Sequence, residues 1–337
     1  MYKTFKVAVL FIVKLLGGFK LARKLNARNT CILCYHGFSY YDEHKFRPKL
    51  FMRPETFSKR MLWLKNSDYQ VVTLQKAIEE RGRKNNFIVL TMDDGWAGTF
   101  ELANDVLLTH KLPLTLYVTS YYIQKQGIVI NVALAYILWK SQGKELILQN
   151  KRLNIDTKFY IEASNIDQLI KEIQHIISQL TDLSSRQQVV ISIAEQLKVS
   201  LYHQGRLLFR LLNEQELAAL SMYDINIQLH THRHCSPKIK ELFQNEVQKN
   251  ISYIQSIIPR IKLTHFCYPS GEHYPQQSPW LKSCGVESAT TVSAGMLTKT
   301  TDLLKIPRIL DGEDVHQLEF EAELCGLSHF FRQVFSR

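Results

Sequence analysis

Three short stretches of this 337-residue chain hold residues whose types and spacing could do chemistry together. The first is Thr91-Met92-Asp93-Asp94-Gly95. Two adjacent carboxylates repel each other, so keeping both charged calls for a nearby cation. One could then be a ligand to that cation while the other works as a base. Gly95 permits a sharp turn after the pair. The second stretch is Leu229-His230-Thr231-His232-Arg233-His234. His230 and His234 are four residues apart, so one helical turn would set both imidazoles on one face, where they suit a single divalent ion. His232 then points elsewhere. With one carboxylate, the two histidines give three ligands and leave positions open, the pattern of a catalytic metal site. Zinc is the first choice for that donor set, and cobalt, nickel or iron also suit it. The third stretch is Phe266-Cys267-Tyr268-Pro269-Ser270-Gly271. Its Pro and Gly would bend the chain and free a backbone N–H to face a cleft, as stabilising an oxyanion requires.

Each stretch follows a short apolar run suited to a buried strand. Such runs occur at 31–35, 87–92, 115–119, 225–229, 263–268 and 288–292. Helical patterns lie between them: Phe57, Met61 and Leu64 recur at helical spacing, and Asn213 followed by Glu216 signals a helix start. Strands alternating with helices predict an α/β fold with a parallel sheet or barrel, whose chemistry gathers at the C-terminal strand ends. Residues 121–212 break the rhythm. Ile166, Leu169, Ile170, Ile173, Ile176, Ile177 and Leu180 predict an amphipathic helix capped by Asn165 or Ser164, with a second helix over about 185–197. The organisation expected is a basic N-terminal segment at 1–29, a first barrel part at 30–120, a mostly helical insertion at 121–212, and a second barrel part with a C-terminal helix at 213–337. The insertion could serve as a lid, a substrate clamp or a dimer contact.

Composition narrows the class. With 45% hydrophobic and 22% charged residues, 14 Gly and 9 Pro, collagen-like and low-complexity chains are excluded. No run approaches the roughly 18 apolar residues that span a bilayer. The net charge is +11, and residues 1–30 supply much of it through Lys3, Lys6, Lys14, Lys20, Arg23, Lys24 and Arg28 with no acid. The rest is mildly basic and lacks a patch interleaved with aromatics, so no nucleic-acid partner is expected. Cys31 and Cys34 form a C-x-x-C inside CILCY, which reads as buried strand, and six cysteines suit a cytoplasmic chain with reduced thiols. The apolar run 7–13 is interrupted by Lys14 and followed by no small-residue cleavage pattern, which argues against a signal peptide. A basic amphipathic helix lying in the interface of an anionic membrane fits better, making the protein peripheral to the membrane. The competing reading is a helix packed on the body with a solvated basic face.

The ordered motifs TMDDG, HTHRH and FCYPSG resemble those of the polysaccharide deacetylases, the NodB-homology or carbohydrate esterase family 4 group. Tyr35-His36 and Pro307-Arg308-Ile309 are similar to the Y-H and P-R-I segments of bacterial members associated with surface-polysaccharide synthesis. The resemblance spans about residues 30–120 and 213–325. It implies an incomplete (β/α)7-type barrel. Asp93 matches the general base, and Asp94, His230 and His234 match the metal triad. The Ser270 N–H matches the oxyanion hole, Arg308 a partner of Asp93, and Tyr268, Pro269 and His36 the sugar site. The implied reaction is metal-dependent removal of an N-acetyl group from an amino sugar of a surface or lipid-linked polysaccharide, releasing acetate. The sequence departs from the pattern at Met92, at Gln228-Leu229 before the first histidine, and in lacking a late L-x-H motif for the acid. His273 and His36 are the stand-ins, and His316 reads as surface. An O-acetyl esterase or another amidase could use the same residues, a sugar-binding relic could retain them, and a peripheral membrane interaction protein could use the N-terminal segment and the insertion.

Overall fold

The computed structural model describes residues 2–102, 106–150 and 155–335. The barrel strands are β1 (Cys31–Tyr35), β2 (Gln70–Val72), β3 (Phe87–Met92), β4 (Leu114–Val118), β5 (Ile225–Leu229), β6 (His265–Cys267), β7 (Ser288–Thr290) and β8 (Ile309–Leu310). Every residue of β1, β3 and β4 is buried, as strands covered on both faces must be. All pairings are parallel, in the order β7-β6-β5-β4-β3-β1-β8, with β2 beside the start of β3. The seven strands of this path form the curled, incomplete (β/α)7-type barrel.

Residues 303–310 cross the gap in the barrel. The Ala289 N–H on β7 donates to the Leu303 carbonyl at 2.7 Å, and the Ile306 N–H donates back to Ala289 at 2.8 Å. On the far side, Ile309 and Leu310 pair with Leu33 and Cys34 of β1. Ile306 is fully buried, and Arg308 lies between the two attachments.

The helices cover the sheet with the apolar stripes that the spacing foretold. In α1 (Tyr2–Leu15) and α2 (Gly18–Leu25), Leu10, Phe19 and Ala22 pack on the C-terminal region. α3 (Pro54–Lys65) begins with Pro in its first turn and buries Phe57, Met61 and Leu64. The segment 121–212 holds α4 (Ser120–Lys125), α5 (Ile130–Lys140), α6 (Ile166–Ser178) and α7 (Leu183–Gln196). α6 buries Leu169, Ile173 and Ile177, but Asn165 turns its carbonyl oxygen to the Glu162 N–H instead of capping α6. Asp182 caps α7 by accepting from the Ser185 N–H.

That segment is less purely helical than expected. It also carries an antiparallel hairpin of Glu145–Asn150 with Ile155–Tyr160, and a short one of Tyr202–His203 with Arg206–Leu207. Leu146 and Leu148 are buried while Glu145, Ile147 and Gln149 are exposed, the period of two that makes a half-buried strand. Residues 151–154 lie outside the described residues. Beyond the insertion come α8 (Glu214–Leu220), opened by a capping box of Asn213 and Glu216, α9 (Lys240–Ile257), α10 (Gln277–Ser283), α11 (Gln317–Leu324) and α12 (Leu327–Phe335).

Ile306→Ala would open a cavity where the chain bridges the barrel gap. Urea unfolding should show a loss of about 2–5 kcal/mol; a loss within experimental error would contradict this packing.

Candidate active site

The first two motifs and the Pro-Ser-Gly turn meet at the C-terminal ends of the strands. β3 ends at Met92, and the Asp93 N–H still donates to the Tyr35 carbonyl at 3.0 Å. Asp94 then takes a left-handed backbone, φ 73°, followed by Gly95 at φ 84°. This turn aims the two neighbouring carboxylates at different partners.

Asp93 receives a bidentate pair from Arg308, Nη1 to Oδ1 and Nη2 to Oδ2, both at 2.7 Å. Arg308 is fully buried, and its remaining donors reach the Thr291 carbonyl at 3.0 Å and Thr91 Oγ1 at 2.9 Å. The thiols of Cys267 and Cys34 approach Asp93 Oδ2 at 3.3 and 3.6 Å. Burial pushes the pKa of Asp93 up, but the Arg308 guanidinium overcomes that and holds it well below the usual carboxylate range. Arg308 therefore touches the cavity only through Asp93, which makes it a positioning residue and corrects its expected place among the catalytic ones.

Asp94 is built for a different charge. Its Oδ2 accepts from Trp96 Nε1 at 2.8 Å, while its buried Oδ1 has no hydrogen-bond donor. That oxygen faces the Nε2 atoms of His230 and His234, each at 3.2 Å. His230 Nδ1 lies 2.8 Å from the Cys267 carbonyl, which can only accept. The proton of a neutral His230 therefore sits on Nδ1, and its Nε2 lone pair points at the carboxylate. Burial raises the pKa of Asp94, yet the two imidazoles bring it well below normal. Burial lowers that of His230, yet Cys267, Asp94 and Asp93 bring it well above. Both shifts express a demand for positive charge between these atoms. The three ligand atoms lie within 4.8 Å of one another, so the donor set fits one divalent ion with positions left open.

The histidines do not meet through a helical turn, as their spacing suggested. Residues 230–236 are an irregular loop, and left-handed Thr231 and His234, φ 61° and 56°, reverse it so that the two rings lie 4.9 Å apart. Thr231 Oγ1 accepts from the Cys235 N–H at 3.2 Å, bracing the loop. His232 points away, with Nδ1 at 2.9 Å from Ser120 Oγ. α9 pins this loop through residues that sequence reasoning missed. Buried Asn250 accepts from the His230 N–H at 3.0 Å and donates to the Val118 carbonyl at 3.0 Å. Glu246 accepts from the Arg233 N–H at 2.7 Å. Their signal was polar residues in the apolar stripe of Phe243, Val247 and Ile254.

In the third motif Ser270 has φ 54° and lines the cavity. The N–H groups of Gly271 and Glu272 turn back onto Tyr268 and Pro269, whereas that of Ser270 has no partner among the described hydrogen bonds. Tyr268 lines the cavity, but Pro269 is buried beneath the turn and does not, contrary to its expected place at the sugar. Its ring fixes the turn that displays Ser270. His36, directly after β1, lines the cavity with Nε2 3.9 Å from Asp93 Oδ2. Burial lowers its pKa, against the pull of Asp94 and Asp93. His273 instead bonds the Gly271 carbonyl through Nδ1 and lies beside the Tyr268 ring, tilted by 41°, and His316 caps α11.

The cavity has a volume of ≈ 470 Å³, and the insertion forms one wall of it through Gln174, Ile177, Leu183 and Arg186. Asn250→Leu would orphan the Val118 carbonyl and the His230 N–H. It should cost about 1–3 kcal/mol in stability and weaken zinc binding about 10–100-fold, read by denaturation and by zinc titration.

Known proteins resemble this chain in family and in fold. The polysaccharide deacetylase family model matches residues 80–289, more than half of the chain. No curated protein matches the sequence. Among solved structures, the deacetylase PplD of Streptococcus pyogenes, in complex with acetate, aligns over 88% of this chain and 98% of its own, with a TM-score of 0.57 and 13% identity. IcaB from Ammonifex degensii aligns over 88% and 97%, with a TM-score of 0.55 and 14% identity. A de-N-acetylase from Aggregatibacter actinomycetemcomitans aligns over 88% and 99%, at 0.54 and 13%. At such identities the structural likeness is one of fold, and the family match carries the assignment: this chain belongs to the polysaccharide deacetylase family, hydrolases of carbon–nitrogen bonds other than peptide bonds.

Proposed function

We propose that the chain removes an N-acetyl group from an amino sugar of a surface or lipid-linked polysaccharide, releasing acetate and a free amine. The observation that supports this most is the division of labour between neighbours: Asp93 is locked to Arg308, while the Oδ1 of Asp94 faces two imidazoles with no donor of its own. Asp94, His230 and His234 would hold a divalent ion, with zinc the first choice, which would supply Lewis acidity toward water and the acyl oxygen.

The chain's own groups do the rest. Asp93, kept ionised and aligned by Arg308, takes a proton from the attacking water. The Ser270 N–H donates to the oxyanion of the tetrahedral carbon. His36, which lines the cavity with Nε2 3.9 Å from Asp93 Oδ2, is the acid in this reading and gives a proton to the leaving nitrogen. Tyr268 and the insertion wall hold the sugar. Arg47, Arg186 and Arg233 also line the cavity and suit a glycan carrying phosphate or carboxylate groups.

Acetate release from N-acetylated oligosaccharides and O-acetyl esters tests the reading. The amide substrates should be cleaved, chelation should abolish release and zinc should restore it. Asp93→Asn should lower kcat about 10²–10⁴-fold. Cleavage of esters alone would make the chain an esterase, and no release with metal bound would make it a sugar-binding relic.

The pH dependence follows from the Arg308 pair. A carboxylate with a depressed pKa contributes stability above the ordinary value of about 3.9, and loses it as pH falls toward the folded value. Arg308→Lys breaks the bidentate geometry and raises the pKa of Asp93, so the acid limb of kcat/KM should move to higher pH. Arg308→Met leaves a buried charge unpaired and should cost about 3–5 kcal/mol in stability. An unmoved acid limb in Arg308→Lys would contradict the role given to the pair.

A further inference from the structure

α1 is amphipathic in the reverse sense of an ordinary surface helix. Its lysines face the body: Lys6 pairs with Glu319 at 2.8 Å, Lys14 with Glu321, and Lys3 donates to the Asp314 carbonyl. Leu10 is buried on the same side. The opposite face carries Phe5, Val9, Phe11, Ile12, Leu15 and Leu16, from 41% exposed at Val9 to 82% at Leu16. Single exposed apolar residues are ordinary, but a contiguous apolar face marks a surface that something covers. α2 extends it with Leu21 and Leu25, 60% and 75% exposed.

Charge says what the partner is. Lys20, Lys24 and Arg28 are exposed beside this band, make no ion pair among the described residues, and have no acid in the first thirty positions to offset them. A second copy docked face to face would bring two such basic sets together. A sheet of anionic headgroups over hydrocarbon would satisfy both the apolar band and its charges. No described helix is long and apolar enough to cross a membrane, so the helix must lie along it. We propose that the apolar face of α1 and α2 seats the protein on an anionic bilayer surface with both helices in the interface plane. The lysines of α1, whose charge the sequence assigned to lipid attraction, are consumed by Glu319 and Glu321, and the attraction falls to α2 and Arg28.

The seat lies next to the catalytic end of the barrel. Lys49 pairs with Asp314 at 3.1 Å, at the residue whose carbonyl holds Lys3, and its neighbours Arg47 and Leu50 line the cavity. The first turn of α1 is thus linked through Asp314 and Lys49 to the segment that lines the cavity. Membrane seating itself does not depend on the reaction at the site.

The test is flotation of the full chain with vesicles of phosphatidylcholine, alone or mixed with phosphatidylglycerol. Wild type should float with the mixed vesicles and less so at high salt. Ile12→Asp/Leu16→Asp should reduce the bound fraction about tenfold or more, and Lys20→Glu/Lys24→Glu should erase the preference for the anionic lipid. Circular dichroism and cleavage of a soluble substrate, unchanged in both variants, would separate lost seating from lost folding or catalysis. Wild type failing to float, or the apolar variant floating as well as wild type, would overturn the proposal. So would a wild-type dimer in solution that Ile12→Asp/Leu16→Asp makes monomeric and that does not float.

Discussion

Two carboxylates on successive residues cannot both stay charged inside a protein unless each finds its own positive partner. Asp93 and Asp94 are 2% and 9% exposed, and much of the molecule follows from that constraint. The left-handed turn at Asp94 and Gly95 sends the two side chains in different directions. Asp93 takes a guanidinium supplied from the far end of the chain. Asp94 takes two imidazoles whose lone pairs leave the charge unsettled until a cation joins them. The segment 303–310 therefore does two jobs: it spans the barrel gap, and it carries the arginine that lets a carboxylate stay ionised in a dry place.

Four of the ten left-handed non-glycine residues among the described ones fall at the same spot. Asp94, Thr231, His234 and Ser270 all hold left-handed backbones without being glycine. Each such residue costs about 1–3 kcal/mol, and such costs persist only where surrounding structure over-determines them. Here that structure is visible: the Asn250 amide on the His230 backbone, Glu246 on the Arg233 backbone, and the Pro269 ring beneath Ser270.

The strands bearing the motifs were legible because burial on both faces writes continuous apolar runs; 31–35, 87–92 and 225–229 match β1, β3 and β5. β2 and β8 were not, being three and two residues long and held by pairing more than by their own pattern. Motif spacing brought out His230, His234 and one of the two carboxylates, and the family resemblance singled out Asp94; the local reason was wrong, since a reversing loop and not a helical turn joins the histidines. Asn250 and Glu246 show in the sequence only as polar residues within the apolar stripe of α9, and their partners on the histidine loop lie outside that period. The lysines of α1 were misread because composition counts a charge without showing its partner. The hairpin at 145–160 was in the alternation of Leu146 and Leu148, and was masked by the strong helical stripe that follows it.

A metal seated at Asp94 and not at Asp93 is what this division of partners requires. Calorimetric titration of the chelated chain with Zn²⁺, comparing wild type, Asp94→Asn and Asp93→Asn, tests that directly. One ion per chain is expected in wild type, with affinity lost by about 100-fold or more in Asp94→Asn and stoichiometry retained in Asp93→Asn. Equal affinity in wild type and Asp94→Asn, or no ion bound by wild type, would contradict it.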